Sequence, residues 1–172
     1  MTSSDLRNLQ MPLKEKYRTE PGSALVTLRA TGKVGEEISC QVETGQALVE
    51  AGLHPATGGT GILACSGDLL LQALVACAGV TLSAVATALG IDLKHGSITA
   101  EGDLDFRGTL GVSKEVPVGF SAVRLQFDLG AGVTPEQLES LKKLTERYCV
   151  VYQTLTAGVR IVTEYRDTTS WV

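Results

Sequence analysis

The sequence contains few of the residues on which metal-binding and nucleic-acid-binding proteins depend. Its 172 residues include two histidines and no Cys-x-x-Cys pair, so the ligand spacing of a zinc site is missing. Aromatic side chains are scarce, with one Trp, four Tyr and three Phe, which argues against a base-stacking surface. The net charge of −4 is spread without a block of like charges, so nothing favours a nucleic-acid partner. We therefore expect no metal, no cofactor and no nucleic acid.

Signals for export and for a disulfide scaffold are missing as well. The first ten residues contain no apolar segment of the kind found in a signal peptide. Four cysteines in a chain of this length do not suggest a disulfide framework. Apolar residues make up 44% and charged residues 20% of the chain, an ordinary balance for a globular protein. We therefore predict one cytoplasmic domain at residues 23–172, preceded by a flexible arm at residues 1–22.

The order of the strand and helix patterns predicts an α+β fold. In chain order we predict strands at 24–30 and 37–43 with a turn at 31–35 between them, a loop at 52–61, a helix with Ser66 as N-cap and Asp68 in its first turn whose charge-free part is 69–91, strands at 97–106 and 118–129, helices at 135–147 and 149–157, and a strand at 159–165. The helix at 135–147 has the clearest start, because Thr134, Pro135 and Gln137 form a capping-box pattern. Since strands and helices come in separate runs, a doubly wound α/β sheet is not expected.

The predicted helix at 69–91 contains no charged side chain. Its length would suffice for a transmembrane helix. Against that interpretation, it contains six alanines, two glycines and several polar side chains, and it has neither an aromatic belt nor a basic flank. We interpret it instead as a helix that is apolar on all sides because protein covers every side. One small domain can hardly cover such a helix alone, so we expect a homodimer and no membrane partner.

The four cysteines differ in their sequence surroundings. Cys40 lies on the apolar face of a predicted strand, and Cys65 precedes the long helix, so both are predicted to be inert. Cys77 lies within the apolar helix, where burial would suppress its thiolate. Cys149 lies at the predicted start of a short helix and near Arg147, and both features favour a thiolate. From the residues alone, Cys149 is the better candidate for a reactive thiol.

Two cysteine contexts and a loop together carry a family resemblance. The loop Gly58-Gly59-Thr60-Gly61 leads into the helix that carries Cys77, and the segment Tyr148-Cys149-Val-Val-Tyr-Gln-Thr-Leu155 follows about seventy residues later. Over roughly residues 23–166, this layout resembles the OsmC/Ohr family of organic-hydroperoxide reductases. The resemblance implies an OsmC-like fold, with antiparallel sheets around a long central helix, in an intertwined homodimer.

The resemblance also implies a function, a thiol-dependent peroxidase that protects against organic hydroperoxides under oxidative stress. Cys77 would be the peroxidatic residue that attacks the peroxide, and Cys149 the resolving residue that forms a disulfide with it. An external dithiol would then reduce that disulfide.

Family members support the thiolate with an acid at the start of the long helix and an arginine from the N-terminal strands. The acid position falls at Gly67 or at Asp68, so Asp68 is the candidate. The cation has two candidates, Arg29 and Lys33, and Arg18 is a third possibility.

A second interpretation keeps the fold and removes the catalysis. In it the chain is a noncatalytic dimeric domain that binds a small apolar ligand or senses oxidation. The two interpretations differ in whether peroxide links Cys77 to Cys149.

Overall fold

The computed structural model describes residues 3–34, 40–42, 51–62, 64–93, 95–130 and 132–165. For residues 3–7, 9–10, 27–34, 40–42 and 51 it describes the backbone only. In chain order the elements are α1 (Ser3–Thr19), β1 (Leu25–Val34), β2 (Cys40–Val42), β3 (Ala51–Gly52), β4 (Ala64–Cys65), α2 (Ser66–Leu89), β5 (Ser97–Asp105), α3 (Phe106–Thr109), β6 (Ala122–Asp128), α4 (Pro135–Tyr148) and α5 (Val150–Ala157). The predicted α+β class is confirmed.

The main sheet has four antiparallel strands in the order β2-β1-β5-β6. Strand β5 lies inside the sheet, with Leu25 of β1 opposite Asp105 and Asp128 of β6 opposite Ser97. Successive β5 side chains alternate between more and less buried, as the period of a strand requires. This alternation turns Ile98, Ala100 and Leu104 into the core. A separate parallel pair, β3 with β4, leads into α2.

Helix α2 packs against both the sheet and the C-terminal helices. It contacts β1 and β5, and it also contacts α4 and α5. Its fully buried side chains include Leu71, Leu74, Val75, Ala78 and Leu82. Because neighbouring elements meet it on several sides, the helix is apolar around most of its circumference. Position Cys77 is thereby held inside the molecule, at the level where α4 passes into α5.

Within the described residues, α2 is long and apolar enough to cross a membrane when judged by length and composition alone. Half of its most apolar 18-residue window is buried inside the protein. The core helix of a globular protein meets the same criteria, so these criteria do not assign the helix to a bilayer.

The N-terminal arm, predicted to be flexible at residues 1–22, contains a helix over Ser3–Thr19 in the structure. Helix α1 ends at Thr19, and Tyr17 is buried. The Tyr17 hydroxyl donates a hydrogen bond to the carbonyl of Ala56, at 2.6 Å. Leu13, one turn earlier, also packs against the core. Because the local sequence is mostly polar, Leu13 and Tyr17 do not by themselves predict a packed helix. Their burial depends on contacts with distant parts of the chain, such as the loop that contains Ala56.

Two further sequence predictions are wrong. Residues 31–34 were predicted as part of a turn, but they extend β1 because Thr31 and Lys33 pair with Thr99 and Ser97 of β5. Residues 159–165 were predicted as a strand, but they form no regular element and are exposed. A strand needs a neighbouring edge, and within the described chain this segment has none. Of the predicted strand at 37–43, only Cys40–Val42 lies within the described residues, where it forms β2.

Candidate active site

Cys77 and Cys149 lie close enough for each thiol to shift the pKa of the other, although 72 positions separate them in sequence. Cys77 is partly buried on α2, and Cys149 is only 1% exposed. Neither forms a disulfide in the structure. The contact between α2 and α5 therefore brings together the two residues that the resemblance named.

The junction between α4 and α5 determines this geometry. Thr134 and Gln137 form the capping box that starts α4, as the sequence predicts. Cys149 ends α4 and is also the N-cap of α5, with an extended backbone at φ −71° and ψ 107°. Its Sγ atom accepts a hydrogen bond from the amide of Tyr152, at 3.5 Å. The amides of Val150 and Val151, which come before Tyr152 and have no partner within their own helix, remain available to a neighbouring group.

Those free amides contact Cys77. Burial by itself would raise the pKa of the Cys77 thiol. Hydrogen bonds from the amides of Val151 and Val150, from the Cys149 thiol and from the Thr81 hydroxyl outweigh burial and lower this pKa below its ordinary value. Every one of these donors stabilises the thiolate and not the thiol. Cys77 therefore occupies a site built for an anionic sulfur.

Cys149 has the opposite tendency. The pKa of its thiol is raised to about 11, first by burial and then by the interaction with Cys77 and its charge, against the lowering effect of the Tyr152 and Val151 amides. The ranking predicted from the residues alone, with Cys149 as the lower-pKa thiol, is therefore wrong. Arg147 is not among the groups that shift the pKa of Cys149, and its guanidinium lies 5.3 Å from the centroid of the Tyr148 ring. The amides of α5 favour a thiolate at both sulfurs, but they outweigh burial only at Cys77.

Asp68 lies in the first turn of α2, on the side of His54. Burial raises the pKa of the Asp68 carboxyl, and the nearby His54 opposes that rise. Nine residues of helix separate Asp68 from Cys77, or about 13.5 Å along the axis at the usual rise. The imidazole of His54 stacks on Phe106 with ring centroids 4.9 Å apart, and its Nδ1 accepts the amide of Ala56 at 3.0 Å. A supporting role for Asp68 at the thiol stays a prediction.

The candidate cations are placed by their backbones. Arg29 lies opposite Glu101 and Lys33 opposite Ser97 in the pairing of β1 with β5, and the side chains of both lie outside the described part of the structure. Arg18, in the last turn of α1, forms an exposed ion pair with Glu15 at 2.9 Å. Arg18 is not among the groups that shift the pKa of Cys77. Their supporting roles therefore also stay predictions.

The Gly-rich loop has a steric reason for two of its glycines. Gly58 ends a short 3₁₀ turn with φ +93°, a left-handed conformation that favours glycine. A Cβ atom on Gly59 would lie 1.7 Å from the carbonyl oxygen of Leu53, a distance that no backbone adjustment of tenths of an ångström relieves. The loop is therefore glycine-rich because the chain passes close to itself before entering α2.

Sequence reasoning missed three contributors to the site, Thr81 and the amides of Val150 and Val151. Thr81 lies one turn after Cys77 and on the same helix face, so helical spacing was a usable signal. The amides carry no side-chain signal. Their availability followed from the predicted helix start at Cys149, but only the packing of α5 on α2 shows which sulfur they contact. Within the described ranges, no group of three or more His, Cys, Asp or Glu side chains is arranged to hold a metal ion.

Comparisons with known proteins are consistent with this arrangement. Among solved structures, the OsmC-like hydroperoxide resistance protein from Jannaschia sp. CCS1 is similar, with a TM-score of 0.61 and 15% sequence identity over 86% of this chain and 97% of that chain. At this identity the likeness shows the fold. A search of curated proteins found no match.

The family itself is shown by sequence. The profile of the family described as OsmC-like protein matches residues 59–164, which is more than half of the chain and includes both Cys77 and Cys149. The chain belongs to the OsmC-like family.

Proposed function

We propose that the protein is a thiol-dependent peroxidase that reduces organic hydroperoxides with Cys77 and Cys149. The observation that carries this proposal is the pair of interacting thiols with pKa values shifted in opposite directions. One thiol has a pKa lowered by the amides of α5 and the other has a pKa raised by burial. A peroxidatic thiol must be a thiolate, while the resolving thiol must stay intact until a sulfenic acid forms beside it.

The proposed cycle has three steps. The Cys77 thiolate attacks the terminal oxygen of the hydroperoxide, the O–O bond breaks, and an alkoxide leaves and is protonated to the alcohol. The sulfur, oxidised by two electrons, is then a sulfenic acid. The Cys149 sulfur attacks it, so that an S–S bond forms and water leaves. An external dithiol then reduces this disulfide by thiol–disulfide exchange and is itself oxidised.

An apolar cavity near the pair supports an organic substrate. This cavity of about 450 Å³ is formed by α2, β6 and α5, and its lining includes Leu74, Val123 and Tyr152. Leu74 lies one turn before Cys77, and Tyr152 directly follows the amides that contact it. Such a wall favours burial of an alkyl or aryl group. We therefore expect organic hydroperoxides to react faster than hydrogen peroxide.

The assembly and the compartment are part of the same proposal. We propose a homodimer, because exposed apolar side chains of the segment 158–165 have no partner element within the described chain. The reductant requirement is met most simply in a reducing cytoplasm, where dithiols are maintained.

The test combines disulfide mapping with turnover. The reduced protein receives one equivalent of cumene hydroperoxide, and peptide mass spectrometry should identify a Cys77–Cys149 disulfide. With excess dithiothreitol, the wild type should consume the peroxide catalytically, and Cys77→Ser should abolish both results. Cys149→Ser should still consume one equivalent and leave a sulfenic acid that dimedone traps. Cys65→Ser is the matched control and should behave as wild type. Absence of turnover with any common dithiol would contradict the proposal.

One observation favours the noncatalytic alternative. Asp68 interacts electrostatically with His54, and no carboxyl of the described chain is among the groups that lower the pKa of Cys77. Slow reaction of all thiols, with no Cys77–Cys149 disulfide after peroxide, would identify a noncatalytic domain that binds an apolar ligand. A disulfide that forms readily but is not reduced in turnover would identify an oxidation sensor.

A further inference from the structure

A second cavity lies between α2, β6 and α4 and has a volume of about 270 Å³. Its apolar walls come from all three elements, with Leu82, Leu125, Phe127, Leu129, Leu138 and Leu141. Its polar lining consists of Lys142, Thr145 and Glu146, all on α4. Neither Cys77 nor Cys149 lines it, so this cavity is separate from the thiol site.

Thr145 is the unusual residue of this cavity. It is 2% exposed, and its buried Oγ1 atom has no hydrogen-bond partner in the described part of the chain. Other helical threonines behave differently, since Thr87 donates to the carbonyl of Ser83 at 2.8 Å and Thr156 to that of Tyr152 at 2.9 Å. This back-bonding is the usual way in which a threonine hydroxyl is satisfied within a helix. A buried hydroxyl without it is costly unless a group in the cavity bonds to it.

The charges at the cavity indicate which kind of group that is. Lys142 and Glu146 lie one turn apart on α4 and carry opposite charges, so their effects on a ligand largely cancel. The buried polar atom is a neutral hydroxyl, and a charged headgroup placed against it would be desolvated without a counterion. The volume equals the liquid share of about nine waters, which suits a molecule of on the order of ten non-hydrogen atoms.

We propose that this cavity binds a neutral aliphatic molecule with one hydroxyl or carbonyl oxygen, of the class of a medium-chain alcohol. The alkyl chain lies among the leucines of α4 and β6, and the oxygen is hydrogen-bonded to Thr145 Oγ1. The proposal stands on a cavity and an unpartnered hydroxyl and does not depend on thiol chemistry. Its failure would leave the peroxidase proposal untouched.

The probe for the test is 1-octanol, titrated into the reduced wild-type protein with leucine methyl groups labelled for NMR. Binding should shift the methyl signals of Leu138 and Leu141 and saturate. Thr145→Val, which keeps the shape and removes the hydroxyl, should weaken the affinity about three- to tenfold, the worth of one hydrogen bond. Thr87→Val is the matched control, because that hydroxyl bonds to its own helix outside the cavity, and it should leave the affinity unchanged. Octanoate should bind more weakly than 1-octanol.

The melting temperature of the ligand-free protein provides a second test, which does not depend on the size of the affinity change. Without ligand, Thr145→Val should melt at the same temperature as wild type or higher, because it removes an unpartnered buried hydroxyl. A lower melting temperature would show that protein or an internal water already satisfies the hydroxyl, and this would overturn the proposal. Unshifted leucine methyls, equal binding of octanoate, or loss of self-association in Leu138→Asp would overturn it too. The last result would mean that a second copy of the chain covers the cavity.

Discussion

At the scale of single residues, the two cysteines show that packing decides which thiol has the lower pKa, against the expectation from their positions in the sequence. Cys149 begins a helix, and a helix N-terminus ordinarily stabilises a thiolate. In the structure, Cys149 is buried and its sulfur accepts a hydrogen bond from the amide of Tyr152, while the amides of Val150 and Val151 lower the pKa of Cys77. A helix terminus therefore lowers the pKa of whichever sulfur its free amides contact, and here that sulfur belongs to another helix.

Thr81 provides a direct test of the thiolate site. Thr81→Val removes a hydroxyl that donates to Cys77, so the pKa of Cys77 should rise and its thiolate fraction at pH 7 should fall about three- to tenfold. The measurement is thiolate absorbance at 240 nm as a function of pH, together with the rate of alkylation by iodoacetamide. Thr81→Ser keeps the hydroxyl and should restore wild-type behaviour. Equal titration of all three proteins would contradict the assignment.

The raised pKa of Cys149 also predicts how stability depends on pH. Between pH 9 and about 11 the folded protein keeps the Cys149 proton, while the unfolded chain loses it. The unfolded state then binds fewer protons, so the free energy of unfolding should fall as the pH rises through this window.

The variant Cys149→Ser has no thiol that ionises at this position, and its hydroxyl can still donate a hydrogen bond to Cys77. Urea unfolding of both reduced proteins at pH 8.5, 9.5 and 10.5 should therefore show a steeper loss of stability for the wild type. Parallel curves would indicate that Cys149 ionises alike in the folded and unfolded states.

At the scale of elements, local signals predicted helices better than strands. The capping box at Thr134 starts α4 where the sequence placed it, because both hydrogen bonds of the box form within four residues. Strand β1 extends beyond its predicted end because pairing with β5 outweighs the local turn signal of Gly32. Helix signals are satisfied locally, whereas a strand is completed only by a distant partner.

Strand β5 gives a prediction at this scale. Gly102 occupies an inward position of the strand, and a Cβ atom there would lie 2.4 Å from the ring of Phe120. Gly102→Ala should therefore lower the free energy of unfolding by about 1–3 kcal/mol through overpacking, as measured by urea denaturation.

Gly119→Ala is the control, because a Cβ atom there meets no atom within 4 Å, and it should leave stability nearly unchanged. Combining Gly102→Ala with Phe120→Ala should cost less than the sum of the two single changes, since the clash is then removed. If the two changes in the free energy of unfolding simply add, the destabilisation by Gly102→Ala does not come from the contact with Phe120.

At the scale of the whole molecule, residues 158–165 after α5 form no regular element in the described part of the structure. Ile161, Val162 and Tyr165 are 83%, 79% and 94% exposed, and the sequence of this segment has the alternation of a strand. Clustered exposed apolar side chains mark interaction sites more often than free surface. Strand β6 is an edge of the main sheet, and such an edge accepts a further strand.

We therefore expect the segment to lie in the interface of a homodimer. Ile161→Asp should shift the protein from dimer to monomer in sedimentation equilibrium at micromolar concentration, because a carboxylate would be buried in an apolar contact. Lys114→Asp, an exposed change in the loop before β6, should leave the mass unchanged. A monomeric wild type would rule out the dimer under these conditions.

The sequence by itself determined the α+β class, the long apolar helix that carries Cys77, the helix starts at Thr134 and Cys149, and the resemblance to a thiol-redox family. These features depend on periodicity, capping residues and motif spacing, all of which act over a few residues. Only the tertiary structure decided which thiol is the stabilised anion, that Asp68 interacts with His54, that Tyr17 anchors α1, and that Thr145 leaves a hydroxyl unpartnered in a cavity. Each of these depends on groups far apart in sequence, because burial and hydrogen-bond partners are properties of the packed chain and not of the local one.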